Sequence, residues 1–167
     1  MSLAIDPQPP QLATERPQDA DAIERLVLRA FGPGRFAKAA ERLREGREPQ
    51  FALSVTAWDR RKLVGSVRQW TVRVGETPAI FLGPIAVEED YRSHGVGAAL
   101  IERACAAAAR AGHAVIVLVG DTPFFGPLGF AKAPGVIMPG PVDQSRVLAR
   151  ALLPGADRGL KGPVVAA

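Results

Sequence analysis

Seven consecutive residues, Arg92-Ser93-His94-Gly95-Val96-Gly97-Ala98, have the types and spacing to hold an anion. They follow a short apolar run, Ile80 to Val87, and open an alanine-rich run, Ala98 to Ala111, stopped by Gly112. The first run reads as a mostly buried strand, the second as a helix. The first turn of a helix presents backbone N–H groups without intrahelical partners, and the helix dipole adds partial positive charge there. Glycines remove the Cβ atoms that would hold a diphosphate away from those groups. Arg92, three residues before Gly95, can add charge-assisted hydrogen bonds.

Two better-known phosphate loops are excluded. A Walker A loop needs Gly-Lys-Ser/Thr, and Gly97 is followed by Ala98 and Ala99. A dinucleotide fingerprint needs a third glycine where Leu100 stands, and it opens directly off its strand, whereas Glu88 to His94 intervene here. Spacing alone leaves two readings open, a phosphate cradle and a helix start that packs closely.

The loop resembles the Gln/Arg-x-x-Gly-x-Gly/Ala signature of the GCN5-related N-acetyltransferases, the GNAT enzymes. The preceding Leu82-Gly83-Pro84-Ile85-Ala86-Val87 is similar to their fourth strand. Val115 to Asp121 and Phe124-Phe125-Gly126-Pro127-Leu128-Gly129-Phe130 resemble their second half. The resemblance covers nearly the whole chain, is most specific from Leu82 to Phe130, and is nearest to the bacterial YhbS-like branch. It implies a GNAT fold of mixed α/β type: a central, mostly antiparallel sheet, splayed between its fourth and fifth strands and flanked by helices.

The resemblance also implies acetyl-coenzyme A (acetyl-CoA) as cosubstrate and no metal. Arg92, Ser93, His94, Gly95, Val96, Gly97 and Ala98 would grip its pyrophosphate. Ile85, Ala86 and Val87 would pair with the pantetheine arm as an added strand does. Asp121, Phe124 and Phe125 would line the mouth of the splay. The acceptor would be a primary amine on a small molecule or a protein, attacked directly in a ternary complex.

Acetyl transfer needs positioning of a neutral amine, a proton acceptor, a polarised carbonyl and a proton for the thiolate. Relatives often supply that last proton from a tyrosine in the short helix after the fifth strand, where this chain has Phe124 and Phe125. Its only tyrosine, Tyr91, falls in the coenzyme loop. Some relatives place a glutamate within the fourth strand, where Phe81 stands. Candidate bases are therefore Asp121 and Glu88, with His94 and His113 behind them. Glu88 and Glu89 precede a helix and also read as dipole partners. Asp121 also reads as a coenzyme contact or a cap on Pro123 to Leu128. Cys105 lies in the alanine run and reads as a small core residue. The alternative function is a non-catalytic acyl-CoA sensor or partner-binding module on the same scaffold.

The chain has 167 residues, a length for one domain, and 47% apolar with 23% charged residues, usual for a soluble globular protein. No apolar run approaches the ~20 residues of a membrane helix. Met1 to Pro10 reads as a loose lead-in without a secretion signal. One cysteine excludes an internal disulfide and a cysteine-based metal cage. These features predict a cytoplasmic protein with no membrane partner, and relatives suggest a possible homodimer. Net charge is +4 and the sequence pI about 9.8, but basic residues are spread and mixed with 17 acidic ones. No basic stripe marks a nucleic-acid partner.

The rest of the chain must hold the loop in place. Gln11 to Arg16 reads as a short edge strand. Pro17 to Asp21 starts a helix in which Ala22, Ile23, Leu26, Val27 and Ala30 recur at helical spacing up to Gly32. A second helix is expected over Arg35 to Glu45, and in the family these two helices wall the acceptor pocket, with Gly32-Pro33-Gly34-Arg35-Phe36 between them. Phe51 to Trp58 and Leu63 to Val74 read as a hairpin leading into the central strand. Ala114 to Val119 reads as a buried strand parallel to it. Pro123 to Leu128 reads as a short helix, Val136 to Pro141 as loop, and Ser145 to Leu152 and Gly162 to Val165 as the last strands.

Overall fold

The computed structural model describes residues 8–32 and 39–167, with the backbone alone for Ala39 and Ala40. The strands are β1 (Gln11–Thr14), β2 (Val55–Asp59), β3 (Lys62–Val74), β4 (Thr77–Val87), β5 (Val115–Val119), β6 (Ala131–Lys132), β7 (Val136–Ile137), β8 (Val147–Ala151) and β9 (Gly162–Ala166). The α-helices are α1 (Ala20–Phe31), α2 (Val96–Arg110) and α3 (Thr122–Phe125). The sheet runs β1-β2-β3-β4-β5-β8-β6, with β9 on the free half of β3 and β7 on β9. Pairing is antiparallel except for β4 with β5 and β7 with β9. This is the mixed, mostly antiparallel sheet that the GNAT resemblance implies.

β3, with a register shift on each side, contributes to two cores. Val64 and Val67 face α2, which buries Val96, Leu100, Ile101, Ala104, Cys105 and Ala108 against them. Trp70 and Val72 belong to the opposite core, with Phe81, Val115, Val117 and Val147. α1 covers its own patch, placing Ile23, Leu26 and Val27 over Leu63 and Ala86. α2 is thus held by its apolar stripe, and its N-terminus is fixed at the end of β4. Among the described residues no helix is long and apolar enough to cross a membrane.

Four expected elements come out differently. Phe51–Leu53 is a 3-10 turn, and the strand begins at Val55. The reason is the buried carboxamide of Gln69, whose Nε2 donates to Leu53 O at 2.5 Å and to Ala104 O at 3.0 Å. That side chain satisfies a carbonyl of the turn and binds it to α2, which a strand ladder would not do. Of the second helix, Ala39–Leu43 is 3-10, and the residues from Pro33 to Lys38 lie outside the described ones. The expected Gly32 to Phe36 contact with substrate therefore falls, beyond Gly32, outside them too. Val136–Ile137, expected as loop, pairs with Gly162 and Pro163 because Val136 is fully buried. α2 starts at Val96, two residues early, so Gly97 lies inside its first turn.

Candidate active site

A bulge shapes the centre of β4. Its register against β3 steps from Ile85 opposite Val67 to Leu82 opposite Gln69, so three residues of β4 span two of β3. The extra length falls at Gly83-Pro84, and Pro84 has no N–H to give a ladder. Trp70 Nε1 donates to Gly83 O at 2.6 Å and fixes the bulge from the buried side.

The parallel pairing of β4 and β5 is short. It joins Ile80 to Ile116 and Phe81 to Val117 and goes no further. Both strands run on, β4 to Val87 and β5 to Val119, without bonding each other. The diverging ends leave the β5-facing edge of Ile85, Ala86 and Val87 open. Arg92 crosses near the end of that edge, its Nε donating to Val87 O at 3.0 Å.

The opening faces the start of α2. Gly95 is the N-cap, left-handed at φ 78, and no side chain caps the helix. A Cβ on Gly95 would meet nothing within 4 Å, so space lies open in front of the first-turn N–H groups of Val96, Gly97 and Ala98. Ser93 is also left-handed, at φ 68, so the loop turns twice before the helix. Arg92, Ser93, His94 and Gly95 are exposed, and Val96 is buried. These features fit a diphosphate, because a concave, uncapped N-terminus offers donors and positive potential without steric bulk.

A cavity of 470 Å³ opens at the bulge, reached by Val27 and Phe31 of α1, Phe81 to Ile85, Leu118 to Asp121, and Val142. Phe124 and Phe125 close its α3 side, their rings edge-to-face at 4.8 Å. Phe125 is core and packs on Phe130 at 5.7 Å, while Phe124 is 42% exposed.

The description "Acetyltransferase (GNAT) family" belongs to the family model that matches residues 20–130. The chain belongs to the GNAT family. It is 30% identical over 124 residues to the Escherichia coli (strain K12) protein YhbS, an uncharacterized N-acetyltransferase, covering 73% of this chain and 74% of that one. The crystal structure of E. coli YhbS in complex with CoA superposes with a TM-score of 0.82 at 26% identity, over 99% of this chain and 94% of that one. A Brucella melitensis GNAT acetyltransferase in complex with acetyl-CoA shares the fold, with a TM-score of 0.70 at 22% identity over 94% and 95% of the two chains.

On this GNAT scaffold the sequence-predicted coenzyme residues converge: the Arg92 to Ala98 loop, the Ile85 to Val87 edge, Phe124 and Asp121 all border the splay. The two carboxylate candidates are each paired with an arginine. Glu88, at the end of β4, takes Nη2 of Arg29 at 2.5 Å and ties α1 to the sheet. Asp121 is 70% exposed and takes Nε of Arg146 at 3.1 Å; its side chain does not cap α3, although its carbonyl accepts from the N–H of Phe124 and Phe125. Tyr91 donates its hydroxyl to Asp59 at the end of β2, and that bond raises its pKa. His94 is exposed and His113 follows α2, its N–H on Ala108 O. Cys105 is buried in the core, and burial pushes its thiol up to about 11. Among the described residues no cluster of His, Cys, Asp or Glu could hold a metal ion.

Sequence reasoning missed Arg44, Asp143 and Arg146, which all reach the cavity. Asp143 accepts from Ser145 Oγ at 2.7 Å and Ser145 N at 3.0 Å, and those bonds hold its carboxyl below the ordinary range. The Asp-x-Ser spacing signals such a turn, but nothing in it shows that the turn borders a cavity. Arg44 follows the Ala39–Leu43 turn and carries no sequence signal at all.

Proposed function

We propose that the protein is an N-acetyltransferase that moves the acetyl group of acetyl-CoA to a primary amine by direct attack in a ternary complex. The observation that carries this reading is the early end of β4–β5 pairing at Phe81 and Val117, in front of an uncapped helix start. A pantetheine arm fits the free edge of β4, and a diphosphate fits the N–H groups of Val96, Gly97 and Ala98. The thioester then lies at the bulge, beside the 470 Å³ cavity that admits the amine. The CoA complex of E. coli YhbS supports the coenzyme assignment.

When bound, acetyl-CoA supplies an activated acetyl carbon and a thiolate leaving group. The chain's own contribution is positioning, worth up to about 7–11 kcal/mol of barrier where the reacting atoms are well aligned. A backbone N–H of β4 can polarise the carbonyl. The amine enters as its free base, and its proton leaves to water in the cavity, since Glu88 and Asp121 are each held by an arginine. The thiolate takes its proton from water as well, because α3 presents Phe124 and Phe125 instead of a hydroxyl.

That same replacement favours a second reading, a non-catalytic acyl-CoA sensor on this scaffold. Titration calorimetry and turnover separate the readings. Absence of acetyl-CoA binding at millimolar ligand rejects both coenzyme readings. Release of CoA thiol only in the presence of an amine rejects the sensor, and binding without release across an amine panel supports it.

A further inference from the structure

Arg44 is the most deeply placed cation of the cavity. Its side chain is 11% exposed, and among the described residues its ion pair is to Glu41 Oε2, through Nη2 at 2.5 Å. A guanidinium carries five N–H donors in a rigid fork, and Glu41 takes one of them. Nη1 lies 3.9 Å from the position a Cβ of Gly83 would occupy, so it reaches the bulge of β4. Among the described residues none takes Nη1 or Nε, and neither is a fully buried unpaired donor, so both are open to a ligand in the cavity. The walls around them are apolar: Val27, Phe31, Phe81, Phe124 and Val142.

We infer that Arg44 is a specificity-determining residue, and that the acceptor is a small amine with an apolar body and an anionic group, carboxylate or phosphonate, close to its nitrogen. This inference rests on the acetyltransferase reading above. Nη1, the nitrogen that reaches the bulge, donates to the anion while Glu41 keeps Nη2, and the amine faces the bulge. At the other end of the same cavity Arg146 pairs with Asp121, and Asp143 leaves a net negative charge that disfavours the anion there and orients the acceptor. A bond from a positively charged donor to a buried anion discriminates strongly against analogues that lack the anion.

The alternative is a structural brace between residues three apart. The two assignments differ in what Glu41 does. A brace is lost equally from either side, whereas an anion site survives removal of Glu41.

The test uses matched products and acceptors with the full chain. Thermal shifts are read with N-acetylphenylalanine, its aminophosphonate counterpart and N-acetylphenethylamine, each with and without CoA. Turnover compares leucine with isoamylamine and phenylalanine with phenethylamine. The expected result is stabilisation by an anionic product and not by N-acetylphenethylamine, with a kcat/KM preference of about tenfold or more for the anionic acceptor. The carboxylate and phosphonate arms identify the anion. Arg44→Gln abolishes the preference while keeping the shift given by CoA; Arg44→Lys restores part of it, and Glu41→Gln keeps it. Indifference to the anionic group, or a preference that survives Arg44→Gln, overturns the inference. Loss of the response to CoA itself instead overturns the acetyltransferase reading.

Discussion

The ring of Phe124 lies over Gly97: a Cβ built on Gly97 would stand 3.3 Å from Phe124 Cζ and 3.9 Å from Ile85 Cδ1. Helix α2, helix α3 and strand β4 therefore meet at the mouth of the splay, and the glycine is what lets them meet. Phe124 is half-exposed and can tilt, so Gly97→Ala costs little. Gly97→Asp places a negative charge near the helix dipole's positive end, which helps the empty protein by about 0.3–1 kcal/mol and offsets the displaced ring. Against a diphosphate the same charge is repulsive. The expected outcome is a near-normal melting temperature with the acetyl-CoA thermal shift lost. Arg92→Ala loses part of that shift. A normal shift in Gly97→Asp would reduce the loop to a packing device.

Gly95 gives the complementary case. Its φ of 78 is left-handed, and nothing crowds its Cβ position within 4 Å. Gly95→Ala therefore meets strain without a clash, and loses about 1–2 kcal/mol of stability. Asparagine visits this conformation more readily, so Gly95→Asn recovers part of the loss. Urea titration of the two variants checks the order.

Arg68 and Glu15 form a buried bidentate pair, both contacts at 3.1 Å, with Glu24 on the remaining nitrogen at 3.2 Å. Burial raises the Glu15 carboxyl above its ordinary value, although Arg68 pulls it down. A raised carboxyl adds stability below its unfolded value, and that contribution is lost as pH rises through the folded value. Arg68→Met removes the lowering partner and leaves a buried charge at neutral pH, at a cost of about 3–5 kcal/mol. The deficit shrinks as the pH falls through the carboxylate range and Glu15 protonates. Denaturation at pH 7 and pH 4 reads the difference, and a deficit that grows in acid contradicts the argument.

Cys105 carries a thiol that burial pushes up to about 11 from 9.0. The neutral thiol is favoured in the folded state, so its contribution is whole below 9.0 and disappears as pH rises towards 11. The folded protein is expected to resist iodoacetamide at pH 8 and to react once unfolded. Cys105→Ala leaves the acetyl-CoA shift unchanged, which separates core packing from any acyl-cysteine chemistry.

The elements that were legible in the sequence are those set by local chemistry. The Arg92 to Ala98 loop between an apolar run and an alanine run specifies a strand, a turn and an open helix start, because glycine spacing and helix propensity act over a few residues. The parallel placement of β5 follows from strand–helix–strand order. Other features depend on residues far apart in the chain. Phe51 and Leu53 alternate as a strand would, yet Gln69 and Ala104 decide for a turn by supplying and sharing a buried carboxamide. Glu88 and Asp121 look like free acids until Arg29 and Arg146 arrive from 59 and 25 residues away. Arg44 gains its meaning only at the bulge of β4, where folding removes water from a guanidinium and leaves its donors facing a cavity. Short-range propensity fixed the glycine loop; long-range contacts decided which charges are spent on the fold and which one faces the cavity.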